Sequence, residues 1–181
     1  MGRPLVRAFV AVEVPRGEIA EPGDSPSAPD HLTLRFLGDI DEPAADELMQ
    51  TLALAVARVP PFEFVLEGVG AFPSRARPRV VWRGVTRGEG ELQALARVVR
   101  DAIGPAGGPE DRSPFVPHVT LFRVRSPRDR ERAARLLAPN APVPPSTVVP
   151  VAAVHFVESQ LTSTGARHRT RARFPLAGTD P

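Results

Sequence analysis

The sequence contains no cysteine, no lysine and no tyrosine. The missing cysteine excludes disulfides, thiolate nucleophiles and cysteine-ligated metals. The missing lysine and tyrosine leave almost nothing to titrate between neutrality and the very high pKa of arginine. The sequence pI of about 10.7 therefore records a net charge of only +2 that persists far up the pH scale, not a strongly basic surface. No run approaches the ~18–20 apolar residues of a membrane span. The apolar stretch Val6–Val14 is too short for a signal peptide and has no cleavage site. No membrane partner is expected, and a cytoplasmic location follows by default. Histidine is scarce too: His31, His118, His155 and His168 are all there are.

What is present is ordinary for a globular protein: 181 residues, 42% hydrophobic and 24% charged. That length fits one domain, 1–181, with room for two lobes around a proper core. All 23 basic residues are arginine. They cluster as Arg75, Arg77 and Arg79, then Arg123, Arg125, Arg128, Arg130 and Arg132, then Arg167, Arg169, Arg171 and Arg173. Alternate arginines on a strand share a face, and the guanidinium fork suits phosphate. A solvated face is the equal alternative for any one cluster.

Two tetrapeptides repeat a pattern: His31-Leu32-Thr33-Leu34 and His118-Val119-Thr120-Leu121. Each alternates polar with apolar residues, the period of a half-buried strand. On a strand, each His and its Thr project from one face, roughly 6–7 Å apart, while the apolar pair enters a core. Two such strands facing each other make a cleft with two imidazoles and two hydroxyls. By contrast, His155 lies between Val154 and Phe156 and reads as packed or at a rim. His168 stands among arginines and reads as exposed, and Trp82, on a Val-rich strand, reads as core.

The remaining pattern predicts strands at Leu5–Val14, His31–Leu37, Phe62–Val69, Arg79–Val85, Phe115–Val124, Val148–Val157 and His168–Leu176. Helices are predicted over Ala44–Val59, Glu91–Ile103 and Pro127–Leu137. Pro15–Asp30, Gly70–Pro78, Gly104–Pro109 and Ala138–Pro150 read as loops or links, rich in proline or glycine. Strands and helices do not alternate strictly. An α+β fold of antiparallel sheets with helices outside is therefore expected, two-lobed and pseudo-duplicated about the paired motifs.

Two histidines with pKa values near neutrality can divide a phosphoester cleavage between them. One takes a proton from the attacking oxygen; the other gives one to the departing oxygen. Charge developing on the non-bridging oxygens calls for donors, which Thr33, Thr120 and nearby arginines supply. This chemistry needs no metal, and no H-x-x-x-H or H-E-x-x-H spacing occurs.

Over most of its length the chain resembles the two-histidine phosphoesterases, and among them the RNA 2′,3′-cyclic phosphodiesterases, also called LigT-like proteins or 2′-5′ RNA ligases. LVRAFVAVEVP resembles the family's first strand, HLTLRFLGDID its first motif and PFEFVLEGVGAFPSRARPRVVWRGV its central hairpin. PFVPHVTLFRV resembles the second motif and VESQLTSTGARHRTRARFPL the C-terminal hairpin. The resemblance implies an RNA 2′,3′-cyclic 3′-phosphodiesterase that uses no cofactor or metal and yields a 2′-phosphomonoester. It implies that His31 is the proton donor to the leaving 3′ oxygen and His118 the acceptor from water. Thr33 and Thr120 would bind phosphate oxygens, with Arg123 nearby. Strict alternation sends Arg123 to the core side, so a bulge or strand end is expected between Thr120 and Arg123.

Three departures from the family pattern stand out. Pro15–Asp30 is shorter and more proline-rich than the family's helical connection. Phe122 replaces a small residue and, at the parity of His118, is expected to stack on a base or narrow the pocket. His168 replaces a tyrosine. The implied partner is RNA ending in a 2′,3′-cyclic phosphate, such as a tRNA fragment, bound by a monomer. Reversible 2′-5′ joining is an implied side activity. Competing readings are a two-histidine phosphodiesterase of small cyclic nucleotides or 2′-5′ oligonucleotides, and a non-catalytic RNA-end binder with salt-sensitive affinity.

Overall fold

The computed structural model describes residues 5–15, 30–104, 114–162 and 165–178. Most of the loop expected over Pro15–Asp30, and of the link expected over Gly104–Pro109, falls outside these residues. The first described strand, β1 (Leu5–Val14), is apolar almost throughout because both of its faces are covered. Val6, Ala8, Val10, Val12 and Val14 join the main core, while Phe9 and Ala11 are buried on the opposite side. Next come β2 (Asp30–Asp41), α1 (Glu42–Val56), β3 (Phe62–Ser74), β4 (Arg77–Arg87) and α2 (Glu89–Ile103). They are followed by β5 (His118–Arg123), α3 (Pro127–Leu137), β6 (Thr147–Val151), β7 (Ala153–Thr162) and β8 (Gly165–Pro175).

All eight strands form one antiparallel sheet in the order β6-β3-β4-β5-β2-β1-β7-β8, the α+β architecture expected. Four strands lie on each side of a seam between β5 and β2, where only Leu32 and Val119 pair. Beyond that pair the two strands diverge, which opens the cleft between the halves. Helices α1 and α2 pack together, and their buried leucines and valines, Leu48, Leu52, Val56, Leu92, Leu95 and Val99, cover one face of the sheet. Each such side chain contributes roughly 1.5–3 kcal/mol through burial. Helix α3 closes a second cluster with Ala71 and Val81 through Ala133 and Leu137.

Local chemistry explains the helix starts. Asp41 caps α1 by accepting from the Ala44 amide at 2.9 Å, with Pro43 in the first turn. Ser126 and Asp129 form a reciprocal capping box at α3, again followed by proline.

Several boundaries differ from expectation: β2 runs on to Asp41, β5 begins at His118 rather than Phe115, and β8 begins at Gly165 rather than His168. The strand read as Val148–Val157 is two strands: β6 pairs with β3 at one edge of the sheet, and β7 pairs with β1 and β8 in the other half. Gly70–Pro78 is not a link. β3 runs on to Ser74 and turns directly into β4, and Gly68, at φ +70, absorbs a register shift on the way.

Candidate active site

Cross-strand register sorts the side chains onto the open face. Glu13, Ala11 and Phe9 of β1 pair with His31, Thr33 and Phe36 of β2. Gly84, Trp82 and Val80 of β4 pair with His118, Thr120 and Arg123 of β5. The register slips after the threonine in both motifs, skipping Leu34 in one and Leu121 in the other. Each slip is a bulge that reverses the parity of the residues after it. The cleft therefore receives residues i, i+2 and i+5 of each motif: His31, Thr33 and Phe36 from one, His118, Thr120 and Arg123 from the other. The bulge expected before Arg123 is present, and it has an unforeseen twin in β2.

The same bulge corrects the placement of Phe122. With parity reversed, Phe122 pairs with Val81 and packs beside it in the cluster under α3. The Arg132 guanidinium covers its ring at 4.3 Å. Phe122 is not part of the cleft wall and cannot stack on a base there.

His31, Thr33, His118, Thr120 and Arg123 do share one cleft of about 670 Å³. Its walls also hold Phe9, Phe36, Phe72, Arg125 and His168. Because β2 and β5 are antiparallel, the Leu32–Val119 pair sets His31 across from Thr120 and Thr33 across from His118. Among the described residues, neither threonine hydroxyl has a hydrogen-bond partner and Arg123 has no ion pair, so all three can donate into the cleft.

Each histidine stands on an aromatic seat. The His118 ring meets Phe72 edge to face at 4.9 Å and tilts over Trp82 at 6.0 Å. Its Nδ1 is 2.7 Å from the Val116 carbonyl. That bond makes Nδ1 the proton-bearing nitrogen and leaves Nε2 as a free acceptor. Burial pushes the His118 pKa below its ordinary value; the bond to Val116 pulls the other way, and the Arg123 charge adds to the lowering. A neutral ring with one open lone pair is the form a general base needs. His31 rests against Phe9 at 4.7 Å and against the edge of His168 at 5.1 Å.

Several of these residues escape a reading of the sequence. Trp82, expected in the core, faces the cleft side beneath His118 because Gly70 leaves room for it. A Cβ on Gly70 would collide with the indole ring. His168 is not exposed among arginines but half-buried against His31 and Phe9, and burial pushes its pKa down. His155 is packed as expected, at 9% exposure. Of the arginines, Arg75 bonds the Val69 and Leu137 carbonyls. Arg83, 2% exposed, bonds those of Leu66 and Pro145. Arg169 and Arg171 pair with Glu158 and Glu42. Strand alternation was the one available signal for Phe9 and Phe72, but it acquires meaning only once the strand pairing is known.

Residues 6–162 match the family model described as the 2′-5′ RNA ligase superfamily. The RNA 2′,3′-cyclic phosphodiesterase of Aeropyrum pernix is 37% identical over 140 residues, 77% of this chain and 78% of that protein. The protein of the same name from Methanothermobacter thermautotrophicus is 30% identical over 185 residues, 94% of this chain and 99% of its own. Among solved structures, Escherichia coli LigT complexed with 3′-AMP superposes with a TM-score of 0.71 at 25% identity, covering 96% of this chain and 99% of that one. A Thermus thermophilus structure reaches 0.74 at 26% identity, covering 96% of this chain and all of its own.

Proposed function

This chain belongs to the 2′-5′ RNA ligase superfamily, and on that basis we propose that it hydrolyses 2′,3′-cyclic phosphate ends of RNA to 2′-phosphomonoesters. The observation that carries this reading is the convergence of two bulged H-x-T strands on one cleft, with His118 fixed as an acceptor by Val116. In the proposed reaction His118 Nε2 takes a proton from water as its oxygen bonds to phosphorus. The bond from phosphorus to the 3′ oxygen breaks in line, and His31 gives that oxygen its proton. Thr33, Thr120 and Arg123 donate to the non-bridging oxygens, where charge accumulates. Hydrogen-bond donors placed where that charge develops are each worth several kcal/mol in a site of this kind.

The cleft volume suits a terminal nucleotide and its phosphate better than a folded RNA, so the RNA end is what is read. A tRNA fragment left with a cyclic phosphate is a substrate of this description. One chain supplies both histidines, so a monomer suffices. Joining RNA through a 2′-5′ bond is the same displacement with a ribose 5′-hydroxyl in place of water, the 3′ oxygen again leaving; its reversal uses the same two groups with their roles exchanged.

The test is an assay, with EDTA present, on a short RNA ending in 2′,3′-cyclic phosphate. Wild type is expected to release a 2′-phosphate, and His31→Ala and His118→Ala each to lose on the order of 10²–10⁴-fold in turnover. Undiminished turnover in either variant, or a 3′-phosphate product, overturns the assignment of roles.

A further inference from the structure

In the β1–β2 ladder Glu13 lies directly across from His31. Paired positions on one face stand about 4.5–5.5 Å apart at Cβ. One strand further, His155 of β7 brings Nδ1 to 3.3 Å from Glu13 Oε2. Glu13, His31, His155, His168 and Thr170 share the wall of a cavity of about 20 Å³, room for one water. Among the described residues no three His, Cys, Asp or Glu side chains are grouped to hold a metal ion. The group therefore acts through charge and hydrogen bonding.

The charges around it decide what it can do. Burial lowers the His155 pKa, Glu13 opposes this less strongly, and Arg173 lowers it further. Near neutrality His155 is uncharged, so it tethers the Glu13 carboxylate without cancelling it. Burial lowers the His168 pKa as well, so the ring edge against His31 is also neutral. On β8, Arg173 sits across from His155. On β1, Arg7 is engaged with Asp39 of β2 at 3.5 Å. His118 and Arg123 face His31 from β5, across the cleft. Of the described side chains lining the small cavity, Glu13 is the sole anion.

We propose that Glu13 is the positioning residue of the proton donor: held by His155, its carboxylate keeps the His31 ring charged and turned to the cleft, with one water in the cavity between them. The inference rests on His31 being the donor, as in the proposed function. A general acid serves only if it arrives protonated, and a carboxylate within about 4–6 Å favours the charged ring.

The test is an NMR titration of the full chain with labelled histidine rings, in wild type, Glu13→Gln and His155→Gln. Glu13 is 48% exposed at its side chain, so the isosteric amide preserves the fold. In Glu13→Gln the His31 midpoint is expected to fall by about one pH unit while the His118 midpoint stays. His155→Gln, which loosens the tether, lowers the His31 midpoint by less. In the kcat/KM profile on cyclic-phosphate RNA, the alkaline limb, which reports loss of the acid's proton, moves down by the same amount, and the acid limb does not move. A His31 midpoint unchanged in folded Glu13→Gln overturns the proposal. If that midpoint falls but wild type turns over no cyclic phosphate, the functional reading fails and the Glu13–His31 coupling stands.

Discussion

Three buried or half-buried imidazoles, His118, His155 and His168, have pKa values held below the ordinary 6.5, in each case chiefly by burial. Each binds a proton more readily in the unfolded chain than in the folded one. Their contribution to stability is therefore complete above about pH 6.5 and is lost as pH falls through the folded-state values. Urea midpoints measured at pH 7.5, 6.5 and 5.5 should fall in that order. Gly70 makes a sharper test of a single position. A methyl group there would push the indole of Trp82 and with it His118. Gly70→Ala should cost about 1–3 kcal/mol of stability and at least roughly tenfold in kcat/KM. Gly90→Ala, with nothing within 4 Å of the added carbon, should leave both nearly unchanged. Phe122→Ala should lower stability by about 2 kcal/mol through the α3 cluster and leave KM alone. His31, Thr33, His118 and Thr120 were legible in the sequence because alternation is local. Trp82, Phe122 and His168 were not, since each sits where it does because of a partner strand, a bulge or a neighbouring glycine.

At the scale of elements, the paired bulges govern what the two motif strands can present. Deleting Leu121 would remove the extra residue and leave Arg123 in plain alternation with His118 and Thr120, still on the cleft face. That deletion is expected to lower kcat/KM less than Arg123→Ala, with far-ultraviolet circular dichroism retained in both. If the deletion is as damaging as Arg123→Ala, the bulge sets more than the parity of the guanidinium. At the start of α2, Gly88 adopts φ +82, and a Cβ there would meet the Glu63 carbonyl at 2.5 Å and the Phe64 backbone at 2.7 Å. Gly88→Ala should thus cost about 2 kcal/mol, read from a urea melt. The helices were readable because their apolar spacing and caps lie within a few residues. The break between β6 and β7 was not. Ala152 interrupts a β-branched run with no glycine or turn residue to mark it, and Pro150 is tolerated because β6 pairs only at the sheet's edge.

For the whole molecule, an arginine-rich composition translates into little free positive charge at the cleft. Arg75, Arg83, Arg169 and Arg171 are committed to carbonyls or carboxylates elsewhere, and of the three described arginines in the cleft wall Arg7 is paired with Asp39, leaving Arg123 and Arg125. Binding of a short RNA end should accordingly depend weakly on salt. Single strands give a slope of about −0.7 per phosphate neutralised, so a slope near −1.4 is expected, and Arg125→Ala should halve it. A much steeper slope would mean that RNA reaches well beyond the cleft. The order of strands across the seam has a further consequence, for the nascent chain. The half that holds His118 has all its strands, β3 to β6, once synthesis has passed Val151. The half that holds His31 lacks β7 and β8 until the final stretch of the described sequence emerges, and His168, which abuts His31, arrives with it. On the ribosome the strands around His118 are therefore complete before those around His31, so a chain released early holds one imidazole in its finished surroundings and not the other.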